Sequence, residues 1–102
     1  MPVVEVKVLP IGTDEASISS YIRDCYAIAD SAIGVNVTLT PTSTILEGSL
    51  ANIFPVVEAM HRSPFYHGAD RVVTTMTIDD RQDKPLDMVS LVTSVISDDA
   101  LL

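Results

Sequence analysis

The feature that most constrains this chain is the order in which its hydrophobic period changes. In Val3–Leu9, Val4, Val6 and Val8 alternate with Val3, Glu5, Lys7 and Leu9, the two-residue period of a strand. Ile18, Tyr21, Ile22, Cys25, Ile28, Ala29 and Ala32 then recur at helical spacing, with Ser17 placed to cap the start and Gly34 to end it. Val35–Thr40 alternates again, Pro41 interrupts, and Ser43–Gly48 reads as the return strand of a hairpin. From Ser49 a second helix carries Leu50, Ile53, Val57 and Met60 along one side. Pro55 is tolerable there only near the first turn, and Pro64 is expected to end or kink the helix before Gly68. A strand from Arg71 alternates through Val72, Thr74, Met76 and Ile78, and Leu86–Ile96 reads as a final helix. The order β-α-β-β-α-β joins two βαβ units through a hairpin. It predicts an α+β ferredoxin-like sandwich, with both helices on one face of a four-stranded antiparallel sheet and a helix added at the C-terminus.

At 102 residues the chain is read as a single domain, and with 5% aromatics among 47% hydrophobic residues its core must be aliphatic. So much apolar surface in so small a domain points to burial between subunits, a compact monomer being the alternative. The formal charge of −8 argues against nucleic acid, because no basic stripe is available to displace counterions. It suits a cationic small ligand and also fits ordinary acidic solubility. Cys25 is a single cysteine on an apolar helical stripe, which reads as a buried thiol in a reducing compartment. No apolar run is long enough to span a membrane, and the N-terminal strand carries Glu5 and Lys7 without a basic leader, so the expected location is cytoplasmic.

The topology sorts the polar residues. Pro10–Thr13 and Thr40–Thr44 belong to one rim of the sheet, and Glu47-Gly48 with the Asp79–Lys84 charge cluster to the other. The sheet's second face presents Glu5, Lys7, Asn36, Thr38, Thr75 and Thr77, fringed by Val3, Leu9 and Val73. This half-polar face suits sheet-against-sheet association, and a wet face on a monomer is the other reading. The final helix is apolar around most of its circumference and should be covered, in the expected arrangement by another subunit. Glu47 depends on the hairpin loop. With the two-residue loop Pro41-Thr42 it lies on the open face beside Asn36, and with one residue more it faces the helices. Pro41 cannot adopt the positive φ of the favoured two-residue turns, which favours the longer loop. The charged ending of Arg71–Pro85 reads as a solvated strand end or an interface clasp, with a ligand rim as the alternative.

Signals for catalysis are weak. His61 and His67 stand six apart, on different helix faces and without carboxylate or cysteine partners at metal-site spacing, so no metal and no catalytic residue is assigned. His61 is the one candidate an enzyme on this fold would offer. There is no glycine-rich phosphate loop, and no cofactor is indicated.

Several stretches carry a resemblance: Val3-Val4-Glu5-Val6, Pro10-Ile11-Gly12-Thr13, the Ser17–Tyr21 helix start, Thr40–Gly48 and above all Arg71-Val72-Val73-Thr74-Thr75 with Ile78-Asp79-Asp80-Arg81 and Asp83-Lys84-Pro85. Over nearly its whole length the chain resembles the small thiamine-binding protein family related to YkoF. The resemblance implies a ferredoxin-like domain that dimerises through its sheet, with a dimer of dimers as the assembly. It also implies thiamine or its hydroxymethylpyrimidine moiety as a ligand bound without chemistry, in vitamin trafficking or salvage. A ligand with a cationic thiazolium and a hydrogen-bonding aminopyrimidine would use a carboxylate and convergent hydroxyls. The expected ligand-binding residues are Thr13, Thr40, Thr44 and Glu47, with Tyr21 as a stacking surface. Each Thr is equally readable as a β-branched strand residue. The chain departs from the family where the hairpin usually reads Thr-Pro-Met-Gly-Thr, since Thr42 and Ser43 replace Met and Gly. It departs again where Pro55 and Ser63-Pro64-Phe65 fall in the second helix. A regulatory module for another metabolite and a small cofactor-free enzyme are the rival functions.

Overall fold

The computed structural model describes residues 1–12 and 19–96. Its elements are β1 (Val3–Ile11), α1 (Ser19–Ser31), β2 (Val35–Leu39), β3 (Thr44–Gly48), α2 (Leu50–Tyr66), β4 (Arg71–Asp79) and α3 (Met88–Ile96). The strands form one antiparallel sheet in the order β2-β3-β1-β4. With α1 and α2 on one face, this is the ferredoxin-like sandwich carrying a C-terminal helix. The expected cap at Ser17 lies outside the described residues.

The two-residue period puts Val4, Val6 and Leu46 toward the helices, where they meet Ile53 and Met60 of α2, all at or below 1% exposure. Cys25, Ala29 and Val35 complete this aliphatic core with Val56 and Val57. Glycine is required where the hairpin end meets the α1–β2 connection. A Cβ on Gly48 would stand 2.7 Å from the Gly34 carbonyl oxygen, and Gly34 itself holds φ at +80°.

Three local expectations are corrected. First, β1 does not stop at Leu9 but runs to Ile11, through Pro10. It pairs with β4 from Val3 to Ile11, yet with β3 only from Val3 to Val6. Among the described residues its other edge has no strand partner beyond Val6, so the missing N–H of Pro10 costs no ladder bond there.

Second, α2 contains both prolines and continues to Tyr66. Ser49 caps its start, accepting a 3.3 Å bond from the Asn52 N–H. Pro55 sits on the exposed face, over Ala51, where solvent can serve the carbonyl left unpaired. Pro64 is fully buried, and the carbonyl its missing N–H abandons is that of Met60. The Cys25 thiol takes that place, donating to the Met60 oxygen at 3.3 Å. Burial, with a smaller push from Asp24, raises the thiol to about 11, so it keeps its donating proton at neutral pH.

Third, the hairpin uses the shorter connection: Leu39 pairs with Thr44 and Asn36 with Glu47. No residue but glycine has positive φ among the described residues, so Pro41 is not asked for one. The Thr40 hydroxyl closes the turn instead. It accepts from the Ser43 N–H at 2.9 Å, while the Thr40 N–H donates to the Ser43 carbonyl at 2.9 Å. Glu47 therefore lies on the open face of the sheet.

Over that face runs α3. Asp87 caps it by accepting from the Ser90 N–H at 2.6 Å. The preceding Leu86 is buried, but no residue of α3 is, and Val89, Val92, Val95 and Ile96 are each more than half exposed. Among the described residues, no helix is long and apolar enough to cross a membrane.

Candidate functional site

The early end of the β1–β3 pairing leaves a notch. β1 continues toward the rim beside β4 while the β2–β3 hairpin turns back, and the space between holds a cavity of about 440 Å³. That volume is in the range of small-molecule sites. Val6 and Val8 of β1, Ile22 and Cys25 of α1 and Met60 of α2 make its inner wall. Leu39 to Thr44 form a lip on the hairpin side, and Lys7, Leu9, Val73 and Thr75 line it toward the open face. The Cys25–Met60 hydrogen bond thus ties together two residues of the inner wall.

Most of this lining is apolar, and Lys7 is its one charged residue among those described. Apart from Lys7 and Thr75, the polar side chains of the lining gather at the lip. The Thr40 hydroxyl is committed to the turn and lies 2.9 Å from the Ser43 hydroxyl, which in turn donates to Glu5 Oε2 at 3.2 Å. Thr44 is 6% exposed and faces the cavity, and no hydrogen bond to its hydroxyl forms among the described residues.

Of the five residues expected to hold a ligand, the notch brings together Thr40 and Thr44. Thr13 lies outside the described residues. Tyr21 stands apart from the cavity: its ring meets His67 edge-on at 6.5 Å, and its hydroxyl donates to the His67 carbonyl at 3.4 Å. Glu47 is also elsewhere. Its carboxylate accepts from Asn36 Nδ2 at 2.9 Å and from the Met88 N–H at 2.6 Å. It is 9% exposed, and what offsets its burial is an amide and the positive end of α3 rather than a basic side chain. His61 also lies away from the notch, with Nδ1 at 2.7 Å from the Thr74 hydroxyl and its ring against Phe65. Val8, Cys25, Ile22 and Lys7 were not foreseen as lining residues. The available signal was Pro10, which a strand tolerates only where one edge is unpaired.

A second cavity of about 620 Å³ separates α3 from the open face. Val3, Thr38, Thr40 and Ile45 lie below it and Met88, Val89, Leu91 and Val92 above. It is a slot between a sheet and a loosely seated helix, and the Glu47 carboxylate fastens that helix at its first turn.

The fold and the notch define a ferredoxin-like domain with a cleft beside the turn of its β2–β3 hairpin. The chain belongs to the thiamine-binding protein family, whose model matches residues 4–96. It is 40% identical to the UPF0045 protein YqgV of Bacillus subtilis over 98 residues, covering 93% of this chain and 94% of that one. A UPF0045 protein of Staphylococcus xylosus is 42% identical over 98 residues, with 93% and 92% covered. Among solved structures, a hypothetical protein of Methanocaldococcus jannaschii superposes with a TM-score of 0.83 at 28% identity, covering 99% of this chain and 97% of that one. A Thermotoga maritima protein provisionally assigned to thiamine biosynthesis or salvage superposes with a TM-score of 0.74 at 22% identity, with 91% and 96% covered, and speaks for the fold. The family is named for binding rather than for a reaction.

Proposed function

We propose that this chain binds the hydroxymethylpyrimidine moiety of thiamine, alone or as part of the vitamin, and carries out no chemistry on it. The observation that carries this reading is the notch, a mainly apolar cleft of about 440 Å³ with hydroxyls at one lip and, inside, a Thr44 hydroxyl with no hydrogen bond among the described residues. A flat, neutral ring edged with polar atoms matches such a lining. Lys7 as the charged residue of the lining favours the pyrimidine over the thiazolium cation for the inner position. The family's name and the provisional role of the Thermotoga neighbour support the same ligand. Trafficking or salvage in the cytoplasm follows as the role, an environment in which the Cys25 thiol would stay reduced.

Self-association belongs to the same proposal. Leu9, Ile11 and Val73 on the open face are each about 40–50% exposed, and the apolar residues of α3 more so. Two copies meeting through that face and α3, and pairing again, would cover them.

A thermal-shift titration tests the binding. A ligand specific for the native state at a hundred times its Kd adds about 2.7 kcal/mol, several degrees for a domain of this size. No shift with either thiamine or hydroxymethylpyrimidine at millimolar concentration would overturn the reading.

A further inference from the structure

We propose that the notch reads its ligand through the unpaired backbone edge of β1, and that it selects a planar heterocycle with an amino group beside a ring nitrogen. The register shows which backbone groups are involved. Gly48 N–H donates to the Pro2 carbonyl at 3.2 Å, so the even-numbered residues of β1 present their N–H and C=O toward β3. The Thr40 N–H bonding to Ser43 across the neighbouring hairpin fixes the same parity independently. Val4 and Val6 spend these groups on Leu46 and Thr44, the last pairs of the ladder. At Val8 the strand opposite has ended. Among the described residues no strand meets the Val8 N–H and C=O, which are directed into a largely apolar cleft, where an unpartnered backbone group is costly.

Side by side, one donor and one acceptor make an edge that an aminopyrimidine complements. The Val8 N–H donates to the ring nitrogen, and the exocyclic amino group donates to the Val8 carbonyl, as the next strand residue would have done. Pro10, two residues on, offers its carbonyl but no N–H. A ligand slipped along the edge by one repeat therefore loses a bond, and a single seating is favoured. Thr44, beside Val6, stands at the inner end for a further polar substituent. This rests on the binding role proposed above and adds the atoms that carry its selectivity.

The test uses hydroxymethylpyrimidine and its analogue lacking the amino group, with amide exchange followed by NMR on the whole chain. In the free protein the Val8 amide exchanges fast, while those of Lys7 and Leu9, bonded into the β4 ladder, are protected. Saturating hydroxymethylpyrimidine slows the Val8 amide and moves its resonance, and the analogue binds roughly tenfold to a hundredfold more weakly. Val8→Pro, which deletes the donor on an edge where Pro10 is already accommodated, weakens binding by a similar factor. Should that variant fold poorly, the wild-type exchange and the analogue decide alone. Equal affinity for the two compounds, or a Val8 amide indifferent to saturation, overturns the edge readout and leaves the binding role standing. Absence of binding by either compound overturns both.

Discussion

The bond between Cys25 and Met60 can be weighed against the proline that made it necessary. Pro64 removes the N–H that would have served the Met60 carbonyl, and the Cys25 thiol, 4% exposed, supplies a substitute at 3.3 Å. Cys25→Ala should cost about 1–3 kcal/mol for the orphaned carbonyl. Loss of sulfur packing adds about 1 kcal/mol. In a Pro64→Ala background the helix regains its own N–H at position 64, and the carbonyl no longer needs the thiol. Cys25→Ala should then cost the packing alone. The coupling in the double-mutant cycle is therefore the carbonyl's share, about 1–3 kcal/mol, well above the ~0.5 kcal/mol within which independent sites add. Equilibrium urea unfolding of the four proteins measures it, provided the m-values agree. Additive effects of the two substitutions would show that the thiol is merely a space-filling residue and that the proline is tolerated for another reason.

Two further outcomes concern α3. Glu47→Ala should free this helix, since it has no buried residue and its Met88 N–H would lose a charged acceptor. Amide exchange over 88–96 should quicken at least tenfold while the core stays protected, because nine isolated residues barely sustain a helix. Unchanged exchange there would refute the latch. Asp87 supplies a pH dependence: the Ser90 N–H, then its hydroxyl, holds the carboxyl below its ordinary value. A folded pKa depressed in this way gives stabilisation that is full above the unfolded value, about 3.9, and lost as pH falls through the folded one. The circular dichroism of α3 should fray in acid in the wild type and less so in Asp87→Asn, and identical acid profiles would contradict the cap.

The periods of the sequence were enough to order the elements and to divide the sheet's residues between its two faces. Glu5, Lys7, Asn36, Thr38, Thr75 and Thr77 all lie on the open side, because a strand's alternation needs no tertiary information. What stayed hidden were exchanges between distant groups. Pro64 reads as a helix end or kink, since nothing in its neighbourhood shows that a thiol 39 positions earlier in the chain will serve the carbonyl it leaves. Pro41 argued for a longer loop because a Thr side chain closing the turn is invisible to backbone preferences. Glu47 looked like a ligand anchor because its partner, the first turn of α3, is 41 residues away. The notch was half legible: the Thr-rich hairpin was recognisable as a rim, while the unpaired stretch of β1 follows only from the register.

The central claim, that the notch rather than the slot beneath α3 holds the pyrimidine, is tested most directly by a chemical-shift map of the chain titrated with hydroxymethylpyrimidine. Saturable changes centred on Val8, Ile22, Cys25 and Thr40–Thr44 are predicted. Changes centred instead on Val3, Ile45, Met88 and Val92, or none at all, would contradict the account.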